Sequence, residues 1–464
     1  MPDQTSHNDA SHTPVLLVTG EDLGALVESD EIDTVMVAVP DMMGRLAGKD
    51  LDARRFLSHL PAGPHMCAYV LASDVDMTPM DGFDLTGWHN GFGDLHVIPD
   101  LETIRRLSYL PGTVLVHADA AHPDGRPVDI APRRMLRNQI ETLGEHGLYL
   151  QVGIEGEFMA YRGTPAEIHA SGYRDLIPAW PHNLDYALSR PPALTAFFRD
   201  LRQALHQAGA PVEAIKTEGT PGQCEVTWPY GDPVRACDTY TLYKHAVRHI
   251  AEQHHMAPTF MASPRTGIAS GMHLHISLVN DDDEPVFAMA PDGELPDVLQ
   301  QSIAGLISAL PQLAPLYAPT INSYRRYTPH SFAPTNYTWG MDNRTCAVRV
   351  VGRDENTHLE VRLPGADANP YLALSAVTAA VIHGVTDHPK LPAPCEGDAY
   401  HETEPLPVPP TLDQALADFA ESGIALRAFG APLVRHYAHA AAAEIDAQHG
   451  QVTDIERERG FLRA

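Results

Sequence analysis

The sequence predicts a two-domain α+β protein, with a small, mostly β first domain and a larger second domain whose strands turn polar faces toward one shared interior. Three observations carry this. At 464 residues with 44% hydrophobic content, the chain can bury one large core and a smaller one. A turn-rich joint, His122-Pro123-Asp124-Gly125-Arg126-Pro127, separates a β-rich stretch from a helix opening at Ala131-Pro132-Arg133. Beyond it, several segments alternate apolar and polar residues with period two. The predicted division is a disordered tail over 1–13, a first domain over 14–124 and a second over 125–464.

In chain order, Ile32 to Val39 reads as a strand, Asp41 to Arg45 as a turn into the next, and Val114 to Val116 as another strand. Asp81 to Gly93, rich in Gly, Asp and aromatics, reads as loop. Helices are predicted from Pro132 to about His146, Val234 to His255, Tyr371 to His383, Leu412 to Ala420 and Leu433 to Gln448. Pro392 to Pro410 reads as an exposed, Pro-rich acidic loop.

The chemistry sits on the alternating strands. From Tyr149 to Ala160, Leu150, Val152, Ile154 and Phe158 share one face while Glu155 and Glu157 share the other. Two carboxylates that close need a cation, a proton or bulk water. In Ser270 to Leu278, His273, His275 and Ser277 alternate with Met272, Leu274, Ile276 and Leu278; in His358 to Leu363, Glu360 and Arg362 lie opposite Leu359, Val361 and Leu363. Glu218 and Glu225 flank a Pro-Gly turn. A lone Glu-x-Glu is ordinarily a solvated strand face, so the signal is the recurrence. Glu155, Glu157, Glu218, Glu225, Glu360 and His273 form an oxygen-rich set suited to Mg²⁺ or Mn²⁺, with enough ligands for two ions. Arg325, Arg326, Arg344, Arg349 and Arg362 follow in the same region, and guanidinium forks bind phosphate and carboxylate in bidentate fashion. Metals beside arginines match a phosphate-bearing anion and a carboxylate substrate, which points to phosphoryl transfer.

The balance of 32 basic and 60 acidic residues, a net charge of −28, argues against nucleic acid and anionic membranes as partners. Five cysteines without a metal-type cluster fit a reducing cytoplasm. Met1 to Thr13 lacks the apolar core of a signal peptide, and no run has the length of a membrane helix. Cys224 and Cys346 read as packing residues, and His7, His12, His254, His255 and His436 as solvated or capping.

The motifs also arrive in a telling order. Gly-x-Glu-x-Glu-Phe, Glu218 to Glu225 around Pro-Gly-Gln, Ser-Gly-Met-His-x-His-x-Ser, Asn-Ser-Tyr-Arg-Arg-Tyr-x-Pro, Asn343-Arg344, and Glu-Val-Arg-Leu-Pro-Gly-Ala-Asp-Ala-Asn-Pro-Tyr-Leu-Ala follow one another. Over roughly residues 15 to 464 the chain resembles the glutamine synthetase family, bacterial type I branch. The resemblance implies an N-terminal β-grasp-like domain, a catalytic domain with a curved antiparallel sheet forming a funnel, and a homo-oligomer of two stacked hexameric rings. By the same resemblance Glu157, Glu218 and Glu225 hold the metal that orders the amino acid, and Glu155, His273 and Glu360 hold the metal on the nucleotide phosphates. His275 and Ser277 resemble ATP contacts, Arg326 and Arg362 the arginines on glutamate and its acyl phosphate, and Arg344 and Arg349 those facing the γ-phosphate.

Departures from the family pattern touch the nitrogen substrate. Phe332 stands before Ala333-Pro334, where ammonia-using members carry a glutamate implied to shield the acyl phosphate and take a proton from ammonium. Lys216-Thr217-Glu218 replaces a His-His-Glu segment, and Ile268-Ala269 an Asn-Gly, both beside the glutamate pocket. The Asp-Gly-Ser-Ser latch of the first domain has no counterpart, although Asp74 and Asp76 lie in about its region and offer carboxylates to a distal ammonium. Phe332 offers a face to amine methylenes. Tyr400 lies near where some members carry an adenylylated tyrosine, in a context that reads as plain surface. Together these resemble γ-glutamylpolyamine and γ-glutamylethanolamide synthetases, and imply an ATP-dependent ligase joining glutamate to an organic amine. A glutamine synthetase using ammonium is the alternative, and an inactive regulatory or structural member the second.

Overall fold

The β-branched run Thr34–Pro40 forms β1, which pairs antiparallel with β2, Leu46–Asp52. The turn between them closes because the Asp41 carboxylate accepts from the amides of Met43 and Arg45, each at 2.9 Å. This is a computed structural model, and it describes residues 19–290 and 293–463. The tail predicted over 1–13, with His7 and His12, lies outside the described residues.

β3 (His65–Cys67), β4 (Asp94–Pro99), β5 (Arg105–Arg106) and β6 (Thr113–Ala121) complete a six-stranded sheet in the order β2-β1-β6-β4-β3, with β5 against β6. β1 and β6 run parallel, the remaining pairs antiparallel. Its core comprises Val35, Val37, Val39, Val114 and Val116 under Phe56 and Leu71. The turn His122–Arg126 leads from β6 toward the helix Pro132–Gly144, which has proline in its first turn.

The second sheet has eight strands in the order β12-β13-β14-β11-β7-β9-β8, with β10 beside β7. These are β7 (Tyr149–Arg162), β8 (Ala214–Thr217), β9 (Gln223–Thr227), β10 (Met256–Thr259), β11 (Met272–Val279), β12 (Trp339–Met341), β13 (Val348–Val351) and β14 (His358–Val361). The expected antiparallel arrangement holds for every pair but β12 and β13, which run parallel. Helices Pro192–Gln207, Pro233–Gln253, Asp297–Ala309 and Pro370–Asp387 pack into one apolar core with the inner faces of these strands. The Pro370–Asp387 helix is apolar on nearly all sides, as a helix enclosed by others must be.

Two buried polar ties join the sheets. The Arg133 guanidinium, on the Pro132–Gly144 helix, reaches Asp100 at 2.6 Å, Asp119 at 3.0 Å and Asp238 at 3.1 Å. Asn369 donates to the carbonyls of Asp41 and Met42 at 3.0 and 3.1 Å, while its side-chain oxygen caps the Pro370–Asp387 helix.

Two expectations need correction. The helix predicted over Leu433 to Gln448 belongs to a longer one, Gly423–His449, kinked at Gly430, whose φ of 76° precedes Pro432 by two residues. His436 is neither solvated nor capping: it is 5% exposed, packs on Phe83, and burial holds its imidazole down at about 4. Cys224 and Cys346 are fully buried free thiols, as packing residues are. Among the described residues, no helix is long and apolar enough to cross a membrane.

Candidate active site

Strand register assembles the site. β7 places Glu155 opposite His273 of β11 and Glu157 opposite Glu225 of β9, while β14 places Glu360 opposite His275 of β11 and Arg349 of β13. A one-residue slip in any of these pairs would send the carboxylates into the apolar core. Two glycines permit the approach. A Cβ on Gly156, between the two glutamates, would lie 2.7 Å from Tyr240 and 2.8 Å from Tyr243; one on Gly271 would meet Arg326 and His273, each at 2.8 Å.

The result is two overlapping ligand groups, Glu155-His273-Glu360 and Glu157-Glu225-His273, each with ligand atoms within 4.8 Å of one another. Glu157 is oriented by Gln223 Nε2 at 2.7 Å and the Gly271 amide at 2.8 Å. Burial works against ionisation of Glu155, but His273 and His275 overcome it and hold its carboxyl below the usual range. Burial likewise opposes ionisation of Glu360, which Arg362, His273 and His275 hold down at about 2. Glu225 goes the other way: burial, then the charges of Glu155 and Glu157, push it up to about 8. Carboxylates this crowded, one of them pushed toward protonation, have the donor chemistry of a hard divalent cation site.

Glu225 makes that fit measurable. Between its ordinary 4.5 and about 8, the folded metal-free protein holds a proton that the unfolded chain has released. Its contribution to stability therefore falls as pH rises through that window. A cation replaces the proton, so the thermal stabilisation by Mg²⁺ or Mn²⁺ over chelator should grow from about pH 6 to about pH 8. A shift that is flat over this range would contradict the assignment.

Glu218 stands apart from both ligand groups: its carboxylate is paired with the Lys216 ammonium, which also lies 3.4 Å from Glu225. The cavity around these groups, about 590 Å³, is lined by Lys216, Glu218, Phe332, Arg344, Arg349 and Arg362 together with the ligand glutamates and His273. Arg349 and Arg362 both donate to Glu360, the former at 2.8 Å. Arg344 is exposed at the rim. Arg326, 2% exposed, donates through Nη1 to the carbonyls of Arg362 and Leu363 at 3.1 and 3.0 Å, and its Nε has no acceptor. A buried guanidinium held by neutral carbonyls, with no carboxylate in ion-pair contact among the described residues, is complementary to an incoming anion. Arg325 is exposed.

A second cavity, about 500 Å³, adjoins the first at Glu155 and is lined by Tyr230, His275, Ser277 and His358 among others. His275 Nε2 lies 3.1 Å from Glu155, and its Nδ1 lies 3.1 Å from His358 Nε2. The flap between the arginines bears Phe332 in a left-handed conformation, φ 60°, with its side chain 63% exposed. Its carbonyl accepts from Arg362 at 3.2 Å, and the Tyr400 hydroxyl donates to the next carbonyl, Ala333, at 3.1 Å. Tyr400 is thus half-buried against the flap rather than a free surface residue. Asp74 and Asp76 do not reach this cavity in their own chain; with Glu444 they line another, of about 430 Å³.

Sequence reasoning passed over Tyr230, His358, Asp185 and Tyr186. His358 carried a usable signal, since alternation puts it on the face of Glu360. Asp185 and Tyr186 lie in a stretch without helix or strand, where no periodicity points inward.

Comparison with known proteins agrees with this geometry. The pattern of the glutamine synthetase catalytic domain matches residues 129–460. The chain is 43% identical to gamma-glutamylethanolamide synthetase GlnA4 of Streptomyces coelicolor, over 98% of this chain and 97% of that one. It is 31% identical to a glutamate–isopropylamine ligase of a Pseudomonas species, over 93% and 96% of the two chains. Among solved structures, a GmaS/ADP complex superposes with a TM-score of 0.81 at 25% identity, covering 95% of this chain and 99% of that one. With a matched catalytic domain, a shared fold and relatives aligned nearly end to end, the chain belongs to the glutamine synthetase family.

Proposed function

We infer that this protein is an ATP-dependent γ-glutamyl-amine ligase. In this reading the glutamate side-chain carboxylate takes the γ-phosphoryl group of ATP, and an organic amine then displaces phosphate from the γ-glutamyl phosphate. A carboxylate is a poor electrophile until one oxygen can leave as phosphate. Arg326 and Arg362 would hold the glutamate, Arg344 and Arg349 would face the transferred phosphoryl group, and the cavity bearing His275 and Ser277 would receive the nucleotide. Mg²⁺ or Mn²⁺ on the two glutamate–histidine groups would supply charge neutralisation for the phosphates. The protein's own residues then orient the acid, exclude water beneath the flap and fix the attacking amine.

The observation that carries this reading is the flap. Phe332 presents an exposed apolar side chain to the cavity beside the two assembled ligand groups. A flap without a carboxylate at this position cannot take a proton from ammonium there, but it offers a face to the carbons of an amine. The inactive-member alternative is disfavoured by the assembled ligand groups.

Purified protein with ATP, Mg²⁺ and glutamate should release phosphate with ethanolamine, alkylamines or a polyamine, and form the corresponding amide by mass analysis. Turnover with ammonium should be at least about tenfold lower in kcat/KM. Ammonium turnover equal to or above that of every organic amine would return the protein to glutamine synthetase proper.

A further inference from the structure

We propose that Asp367 is a positioning residue for the acid substrate, fixing the Arg326 guanidinium by stitching together the two segments that hold it. The role rests on the reading above in which Arg326 meets the glutamate, and it falls to a side chain outside both metal-ligand groups.

Arg326 borders those groups across a glycine. The Cβ that Gly271 lacks would meet Arg326 Nη2 and His273 Nε2, each at 2.8 Å. The rest of its setting comes from two segments. Its backbone follows the short turn Asn322–Arg325, where the Arg326 amide donates to the Ser323 carbonyl at 3.3 Å. Its Nη1 donates to the carbonyls of Arg362 and Leu363, on the segment leaving β14.

Asp367 lies further along that second segment and reaches back to the turn. Its Oδ2 accepts from the Ser323 hydroxyl at 2.6 Å and the Thr320 hydroxyl at 3.0 Å. Those hydroxyls themselves accept from backbone amides: Ser323 Oγ from Thr320 at 3.0 Å, Thr320 Oγ1 from Ser323 at 3.2 Å. One carboxylate oxygen thus orients both hydroxyls, through charge-assisted bonds of the stronger kind. Asp367 Oδ1 is buried and takes no hydrogen bond from another residue. A Cβ on Gly365 would lie 2.6 Å from it, so only glycine there admits the carboxylate. The buried Lys244 ammonium donates to the adjacent Ala366 carbonyl at 3.0 Å and supplies a counter-charge. An aspartate that merely stapled a turn could join any two segments. This one joins the origin of an arginine to the acceptors of the same arginine, and a slip of about 1 Å in such a contact can cost up to about 10²-fold.

The test is the KM for glutamate, with the KM for ATP as control, using whichever nitrogen nucleophile the wild-type protein turns over. Asp367→Ala should raise the glutamate KM by about tenfold and leave the ATP KM within about twofold. Asp367→Asn, which retains an acceptor for the two hydroxyls, should recover most of that loss. In an Arg326→Met background Asp367→Ala should add less than about threefold, because the group it positions is gone. Asn322 keeps the turn anchored by exchanging two bonds with Ser263, at 2.9 and 3.0 Å. Should Asp367→Ala nevertheless fail to fold, Ser323→Ala, which removes the 2.6 Å bond, should still raise the glutamate KM by about threefold. An unchanged glutamate KM, equal rises for glutamate and ATP, or an undiminished effect without Arg326 would overturn the proposal. Turnover of glutamate with ammonium alone would sink the ligase reading and leave this test intact, since the acid is the same. No turnover of glutamate with any nucleophile would sink both, and it would be seen in the wild-type protein before any variant is compared.

Discussion

Replacing Glu360 with Gln is expected to lower kcat/KM by at least about 10³-fold and to destabilise the fold by about 3–5 kcal/mol. Glu360 is 1% exposed and accepts from Arg349 Nη1 at 2.8 Å and from Arg362 Nη1, while His273 Nδ1 lies 3.3 Å away. Its carboxylate is the anion around which two guanidiniums and one imidazole are arranged. An amide would keep one acceptor but turn an N–H donor toward those cations, leaving buried positive charge without a counter-ion. The same change removes an oxygen from the Glu155-His273-Glu360 group, so the thermal shift caused by Mg²⁺ or Mn²⁺ should shrink with activity. Steady-state kinetics and thermal denaturation of the variant check both parts, and turnover within about tenfold of wild type would remove Glu360 from the site.

Arg326→Met is expected to separate stability from function. The wild-type guanidinium is 2% exposed, and burial, helped by the charge of Arg362, drives its basicity below the ordinary value. Its Nη1 bonds reach backbone carbonyls at 3.0 and 3.1 Å, and the Tyr327 ring centre lies 5.9 Å away. Losing those bonds costs about 1 kcal/mol each, while removing a desolvated charge returns a similar amount, so the melting midpoint should move by only a few degrees. The KM for glutamate, by contrast, should rise by about 10²–10³-fold, the loss expected for one buried charge-assisted contact to a carboxylate. A variant that unfolds while its residual fraction keeps the wild-type KM would show that Arg326 serves the fold and not the acid.

How far the sequence could be read depended on periodicity. Glu155, Glu157, His273 and Glu360 were legible because strands alternate and the register of β7, β11 and β14 brings those faces together. Helices with strong start signals were legible too: Pro132–Gly144 begins with proline, and Pro370–Asp387 is capped by Asn369. The helices Pro192–Gln207 and Asp297–Ala309 were not anticipated: Pro191 and Pro296 at their N-caps offer no side-chain capping bond, although Pro192 gives the first the same proline start as Pro132–Gly144. The Glu218–Lys216 pair was illegible for a different reason. Sequence placed Glu218 among the carboxylates, but which side chain it faces depends on how β8, β9 and the loop bearing Tyr186 converge. His436 shows the same limit, since its burial against Phe83 joins residues from opposite ends of the chain.

The central claim is that the glutamate side chain is activated as an acyl phosphate before an amine attacks. The most direct measurement uses glutamate labelled with ¹⁸O in its side-chain carboxylate, together with ATP, Mg²⁺ and a productive amine. One labelled oxygen should appear in phosphate for each amide formed, because the carboxylate oxygen leaves with the phosphoryl group. Unlabelled phosphate released alongside amide product would contradict the account.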